Sequence, residues 1–172
     1  MNVYWEHFKT ITKHKAYVMK SCWKVGLYWQ GITHDLSKYS IAEFALSARH
    51  FQGDKSPIVA EKAKSGFSYA WQHHKGRNKH HWEYWLDTKN GELYTIDMPV
   101  KYIQEMICDW IGAGKAYTHN KWHIAVLHAW WYDKQHKVAL SQKTRAAVEY
   151  CMAAATEEEL YWRIKNLKWD EI

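Results

Sequence analysis

The stretch "AWQHHKGRNKHHWEYW", Ala70 to Trp85, holds four histidines within nine residues, as the pairs His73-His74 and His80-His81. Neutral imidazole is the commonest side-chain metal ligand. Histidines mixed with Lys, Arg and Trp could equally form a nucleic-acid face or a plain polar loop. The polar residues elsewhere in the chain favour a metal site. His14 stands three residues after Ile11 and four before Val18, on an apolar stripe continued by Cys22 and Val25. A buried imidazole there needs partners for its nitrogens. "GITHDLSKYS" places an imidazole and a carboxylate side by side as His34-Asp35, with Lys38 one turn further on. Asp109 interrupts an apolar helix made by Ile103, Met106, Ile107 and Ile111, and Glu105 lies one turn earlier on the same face. A carboxylate in that setting sits at the solvent edge or beside a cation.

In chain order the candidates are His14, His34-Asp35, His73 or His74, His80 or His81, and Asp109. Nitrogen and oxygen donors converging from separate helices are how helical proteins build one- or two-metal sites. Cys22, Cys108 and Cys151 are far apart and form no CxxC, so thiolate ligation and a disulfide framework are both excluded. The donor set selects one or two hard or borderline divalent ions among Mn, Fe, Co, Ni, Zn and Mg. Adjacent residues on a helix point about 100° apart, so one histidine of each pair should face the ion. Ala63, Phe67 and Ala70 share the face of His74, which is therefore preferred to His73; His80 and His81 stay unresolved. Lys38, Arg77 and Asn78 supply groups that would hold phosphoryl oxygens.

The ordered set, with "HDLSK" at its centre, resembles the HD-domain superfamily of metal-dependent phosphohydrolases. More narrowly, "HDLSKYSIAEF", "AWQHHKGRNKHHWEYW" and "EMICDW" together resemble a small HD-like family of bacterial and viral proteins. The resemblance implies that His14, His34, Asp35 and Asp109 form a first metal site. It also implies that His74 with His80 or His81 holds a second metal, Asp35 bridging the two. The seven-residue step from His74 to His81 is shorter than in the superfamily's signalling phosphodiesterases. The implied reaction is hydrolysis of a nucleotide or other phosphoester by a metal-activated water, with Asp35 and Lys38 as catalytic groups and Lys38, Arg77 and Asn78 binding substrate. Two alternatives differ in class: a di-iron oxygenase with a similar ligand order, and a non-enzymatic basic helical module binding nucleic acid or a protein partner.

Helices must carry these residues. Only 8 Gly and 2 Pro punctuate 172 residues, and apolar positions recur at helical spacing. The expected fold is all-α, a single HD-like bundle over residues 1–172 with a short β-hairpin near residues 84–96, where Asn90-Gly91 forms the turn. Phe8, Ile11, Val18, Cys22 and Val25 mark a first helix, interrupted or followed by Gly26 and Gly31. Ser40 and Glu43 form a capping box before a helix from Ile41. "QGDKSP" reads as a loop, and one helix should run from Ile58 to Lys75. A helix opened by Asp97 and Pro99 should end at Gly112 and Gly114, and another should cover Trp122 to Lys137. Ser141 and Thr156 cap two last helices. Trp71, Trp82, Trp85, Trp110, Trp130 and Trp131 are read as core, those near the histidine pairs also being able to stack on a base.

A net charge of +6 favours anionic partners, here a small nucleotide-like phosphorylated substrate. Scattered charge without a Lys/Arg stripe places nucleic acid second. With no signal peptide and no 18-residue apolar run, no membrane association and a cytoplasmic location are expected.

Overall fold

The computed structural model describes residues 2–53, 56–118 and 121–169. Residues 54 and 55 of the expected Gln52–Pro57 loop lie outside them. The described chain is all-α apart from one two-stranded hairpin. Helix α1 (Val3–Lys24) starts at Asn2, whose side chain accepts the Tyr4 N–H. Ile11, Val18, Cys22 and Val25 are buried as their spacing requires, and His7 and His14 are buried with them. Phe8 sits at the edge of that stripe, stacked on Trp5. The chain leaves α1 through Gly26 at φ +84°. Gly31 does not break a helix but lies within α2 (Tyr28–Thr33), where an added Cβ would lie 3.1 Å from Cys22 Cβ.

Ser40 caps α3 (Ile41–Arg49) as expected. The single helix expected from Ile58 to Lys75 is instead two, α4 (Pro57–Ser65) and α5 (Tyr69–Lys75). Gly66 adopts φ +79° and closes α4, and Ser68 accepts the Trp71 N–H to open α5. Phe67 falls in the link and Ala63 on α4, both exposed, so of the three residues expected on the face of His74 only buried Ala70 shares its helix. The hairpin follows, with β1 (Leu86–Lys89) antiparallel to β2 (Glu92–Thr95) around Asn90 and Gly91, both at positive φ.

Helix α6 (Val100–Thr118) runs through Gly112 and Gly114 rather than ending there. Both glycines serve close packing: a Cβ on Gly112 would meet Val18 on α1, and one on Gly114 would meet the Trp122 ring. Helix α7 (Ile124–Lys134) is shorter than expected, its last turn tightening to 3₁₀ over Gln135–Lys137. Ser141 and Thr156 cap α8 (Gln142–Met152) and α9 (Glu157–Lys165) as expected. The core gathers Val18 and Cys22 of α1, Ile103, Met106, Ile107 and Ile111 of α6, and Val148, Leu160 and Ile164 of the last helices. All three cysteines are free and buried, and burial pushes the Cys151 thiol up to about 12. No helix is long and apolar enough to cross a membrane.

Candidate metal centre

The α1–α6 pair brings in the first two donors. His14, on the buried stripe of α1, places Nε2 3.1 Å from Oδ1 of Asp109 on α6. One helical turn along, Gly112 and Val18 set how closely the two helices approach.

The His34–Asp35 corner is built by the end of α2. Asp35 takes a left-handed conformation (φ 54°), which a short polar side chain tolerates better than most. Lys15 fastens this corner, its Nζ donating to the carbonyls of Ile32 and His34 at 2.6 and 2.7 Å. The turn drives Asp35 into the interior, 1% exposed. Its two oxygens then face different neighbours. Oδ2 lies 3.5 Å from His14 Nε2 and 3.2 Å from His34 Nε2. Oδ1 lies 3.2 Å from His74 Nε2 and 3.4 Å from His80 Nε2. Lys38, on the 3₁₀ turn Leu36–Tyr39, donates to Oδ2.

His74 faces inward as its helical face predicts. His73 turns away and bonds Glu43 at 2.6 Å. The second pair departs from the one-per-pair expectation, because His80 and His81 both reach the cluster. That expectation assumed a helix, but His81 is extended (φ −85°, ψ 129°) at the end of a turn. The 100° separation therefore does not apply.

Two further carboxylates orient the rings from outside. Glu105 Oε1 accepts from Nδ1 of both His34 (3.0 Å) and His80 (3.1 Å). Glu43 Oε2 takes His74 Nδ1 at 2.8 Å. Each fixes a ring so that Nε2 points into the cluster, the arrangement that sets tautomer and aim in metal sites. Glu43 was expected only as a helix cap; Ser40 Oγ does accept its N–H, but its carboxylate is committed to the histidines. Glu105 carried a sequence signal in its place one turn before Asp109, whereas a Glu at the third position of a helix looks the same with or without such a role.

Electrostatically the cluster is tightly coupled. Burial pushes Asp35 up, but the charges of His34, Lys38 and His74 outweigh it and hold the carboxyl well below its usual range. Burial likewise opposes ionisation of Asp109, and the imidazoles of His14 and His34 beside it overcome that effect. Burial lowers His34, yet the Asp35 charge, the nearby Asp109 carboxylate and the Nδ1 bond to Glu105 raise it well above normal. Burial, with His80 and His74 adding to it, holds His81 in its neutral form.

Six of these buried atoms have no hydrogen-bond partner among the described residues: Nε2 of His14, His34, His74, His80 and His81, and Oδ1 of Asp35. Orphaned buried polar atoms are costly and rare, and six in one cluster demand a partner. The donors form groups that could hold a metal ion: His14, His34, Asp35 and Asp109; and Asp35, His74, His80 and His81. The two share Asp35. A further group, His34, His80 and Glu105, overlaps both. Imidazole and carboxylate without thiolate fit the borderline divalent ions.

A cavity of about 320 Å³ opens onto this cluster, touching His14, Lys38, His74, His81 and Asp109. Its remaining wall is largely aromatic and aliphatic, including Phe51, Trp71, Trp82, Trp110 and Trp130. Of the six tryptophans read as core, Trp131 is buried in it and Trp82, Trp85 and Trp110 pack against it, Trp82 and Trp110 also lining the cavity; Trp71 and Trp130 line the cavity instead. Lys38 lines the cavity. Arg77 does not: it is exposed and outside the cavity lining. Asn78 spends its amide on Ser37 Oγ (2.8 Å) and the His74 carbonyl (2.8 Å), a bracing role for the second histidine group.

Residues 3–154 match the model of a family of unknown function, DUF5662, and all the clustered residues fall within that span. No curated protein and no solved structure gives a significant match.

Proposed function

We propose that this chain, which belongs to the DUF5662 family, is a metal-dependent phosphohydrolase of HD type acting on a small phosphoester. The observation that carries this reading is the set of six orphaned donors, divided between two groups that share Asp35. His14, His34 and Asp109 would hold one divalent ion and His74, His80 and His81 the other, with one Asp35 oxygen toward each. Bound there, such ions supply an activated water and neutralise phosphoryl charge. The chain's own groups do the rest. Glu105 and Glu43 keep the imidazole Nε2 atoms aimed inward, so the donor geometry exists before any ion arrives. Lys38 holds a positive charge on the cavity side of Asp35, placed to take a phosphoryl oxygen. The apolar wall excludes water from the reacting group and houses the remainder of the substrate. Mn, Fe, Co, Ni and Zn suit this imidazole-rich set, whereas Mg prefers oxygen ligands and suits it least.

The test is metal analysis of untagged protein beside His34→Ala and Asp109→Ala, followed by phosphate release from aryl phosphoesters and a nucleotide panel with Mn or Co. Metal in the wild type, lost in both variants, and metal-dependent phosphate release are expected. A wild type without metal and without a thermal shift on metal addition refutes the reading.

One observation favours a second reading. Lys38 is the single lysine or arginine among the described residues lining the cavity, and so apolar a wall also suits oxidation of a weakly charged substrate by a di-iron centre. Oxygen uptake by iron-loaded protein, without phosphate release, would replace hydrolysis by that reaction.

A further inference from the structure

The metal cluster does not account for every orphaned atom among the residues that line the cavity. His7 lies on α1 two turns before His14, on the same face and about 10 Å away along the helix axis. It lines the same cavity, is 3% exposed, and its Nδ1 is buried without a partner. Its ring is held between Phe44 and Phe51, with centroids 5.3 Å from each. A buried histidine serving the fold ordinarily gives a ring nitrogen to a carbonyl or carboxylate. His7 makes no hydrogen bond with any described residue, and in this aromatic setting a phenylalanine would pack without that cost. The imidazole is therefore suited to a ligand rather than to the core.

We propose that the molecule taken by this cavity is a small, mainly apolar compound whose reacting group sits at the metal cluster. Its far end carries an uncharged hydrogen-bonding group held by His7, which makes His7 a specificity-determining residue. The proposal rests on reading the cluster as the reactive centre. The character of the far end follows from its surroundings. Burial, assisted by the Lys38 charge, pulls His7 down to about 4, so it is neutral near pH 7. The other orphaned atom outside the cluster on a residue lining the cavity, Glu83 Oε2, is a carboxyl oxygen and so supplies no counter-charge to an anion either. A neutral imidazole between two phenyl rings can pair with a hydroxyl, amide or heterocyclic nitrogen, but offers no counter-charge to a second anion.

The test uses zinc-loaded full chain and three non-hydrolysable probes: benzylphosphonate, its 4-hydroxymethyl derivative and its 4-carboxy derivative. Binding is read from tryptophan fluorescence, since Trp71, Trp82, Trp110 and Trp130 line the cavity. The hydroxymethyl probe should bind wild type about five- to tenfold more tightly than the parent, the range of one neutral hydrogen bond, and the carboxy probe no more tightly than the parent. His7→Phe should abolish that preference while leaving metal uptake unchanged, and His7→Gln should restore part of it. Equal affinity of wild type for parent and hydroxymethyl probes, no quenching by any probe, or a preference that survives in His7→Phe overturns the proposal. Should His7→Phe fail to fold, the wild-type comparison and His7→Gln still decide. Calorimetric zinc uptake is the separate readout for the metal reading. Wild type that takes up no zinc overturns both, whereas zinc uptake without probe discrimination overturns this one alone.

Discussion

Gly112→Ala tests whether the spacing of two helices, rather than any ligand by itself, makes the metal centre. A Cβ at position 112 would lie 2.4 Å from Val18 Cγ2, 2.9 Å from Val18 N and 3.1 Å from Val18 Cα. Carbon contacts settle at about 3.5–4.0 Å. Two of the three atoms are main chain, and a helical valine has essentially one rotamer, so little can rotate aside. Relief requires α1 and α6 to part by roughly 0.5–1 Å. Asp109 precedes Gly112 by three residues and His14 precedes Val18 by four, so the separation reaches the ligands almost undiminished. The 3.1 Å between His14 Nε2 and Asp109 Oδ1 would widen to about 4 Å, whereas metal-ligand distances tolerate about 0.2 Å. Overpacking costs about 1–3 kcal/mol and the better helix former returns about 1 kcal/mol. Net destabilisation of metal-free protein should thus be about 1 kcal/mol, while metal affinity should fall at least tenfold, as when a supporting interaction of a metal site is lost. Gly114→Ala is the control: its Cβ would strike the Trp122 ring and not α1, so it should lower stability with little loss of metal affinity. Melting in chelator and calorimetric metal titration give the two quantities separately. Wild-type metal affinity in Gly112→Ala, or equal loss in both variants, refutes the argument.

Three further outcomes are expected. Asp35→Asn keeps a residue that accepts the left-handed conformation but removes the carboxylate common to both donor groups, so metal analysis should find both depleted; Arg77→Ala, exposed and outside the cavity, should change affinity by no more than about twofold. Glu43→Gln should weaken metal binding at the His74 group by about 10- to 100-fold and, because the buried carboxylate bonds both His73 and His74, should also cost about 1–3 kcal/mol of stability measured in chelator; unchanged metal affinity would remove Glu43 from the site. His7 has a folded pKa of about 4 against about 6.5 unfolded, so between those values the unfolded chain binds a proton that the folded chain refuses. Stability from neutral His7 is complete above pH 6.5 and is lost as pH falls toward 4, by about 2 kcal/mol once screening on the cavity side is allowed for. His7→Phe should flatten that part of the stability–pH curve measured by urea denaturation, and an unchanged slope would contradict the assignment.

Two of the candidate ligands, His14 and Asp109, were legible because each is a polar residue where its neighbours demand an apolar one. His14 on the stripe of α1 and Asp109 among the isoleucines of α6 break a pattern, and a broken pattern can be seen without a structure. Of the supporting carboxylates, Glu105 breaks the same pattern of α6 one turn before Asp109, and Glu43 breaks none. Glu43 satisfies the rule for a helix start, and its second allegiance depends on α5 packing beside α3, which local spacing does not encode. Gly112 shows the converse ambiguity. A glycine late in a helix reads as a stop signal, yet here the absent Cβ admits Val18 and the helix continues. Phe67 misled for a related reason: Gly66 and Ser68 are themselves stop and start signals, and they outweigh the apolar spacing that would have carried one helix through. The paired histidines follow the same logic. His73-His74 lies on a helix, so geometry divides the pair, one ring to the cluster and one to Glu43. His80-His81 lies where the turn after α5 gives way to extended backbone, and both rings converge. The number of ligands a histidine pair can supply is therefore set by the backbone beneath it. In this chain the short step from His74 to His81 suffices for a second donor group only because α5 ends at Lys75 and the five residues after it are not helical.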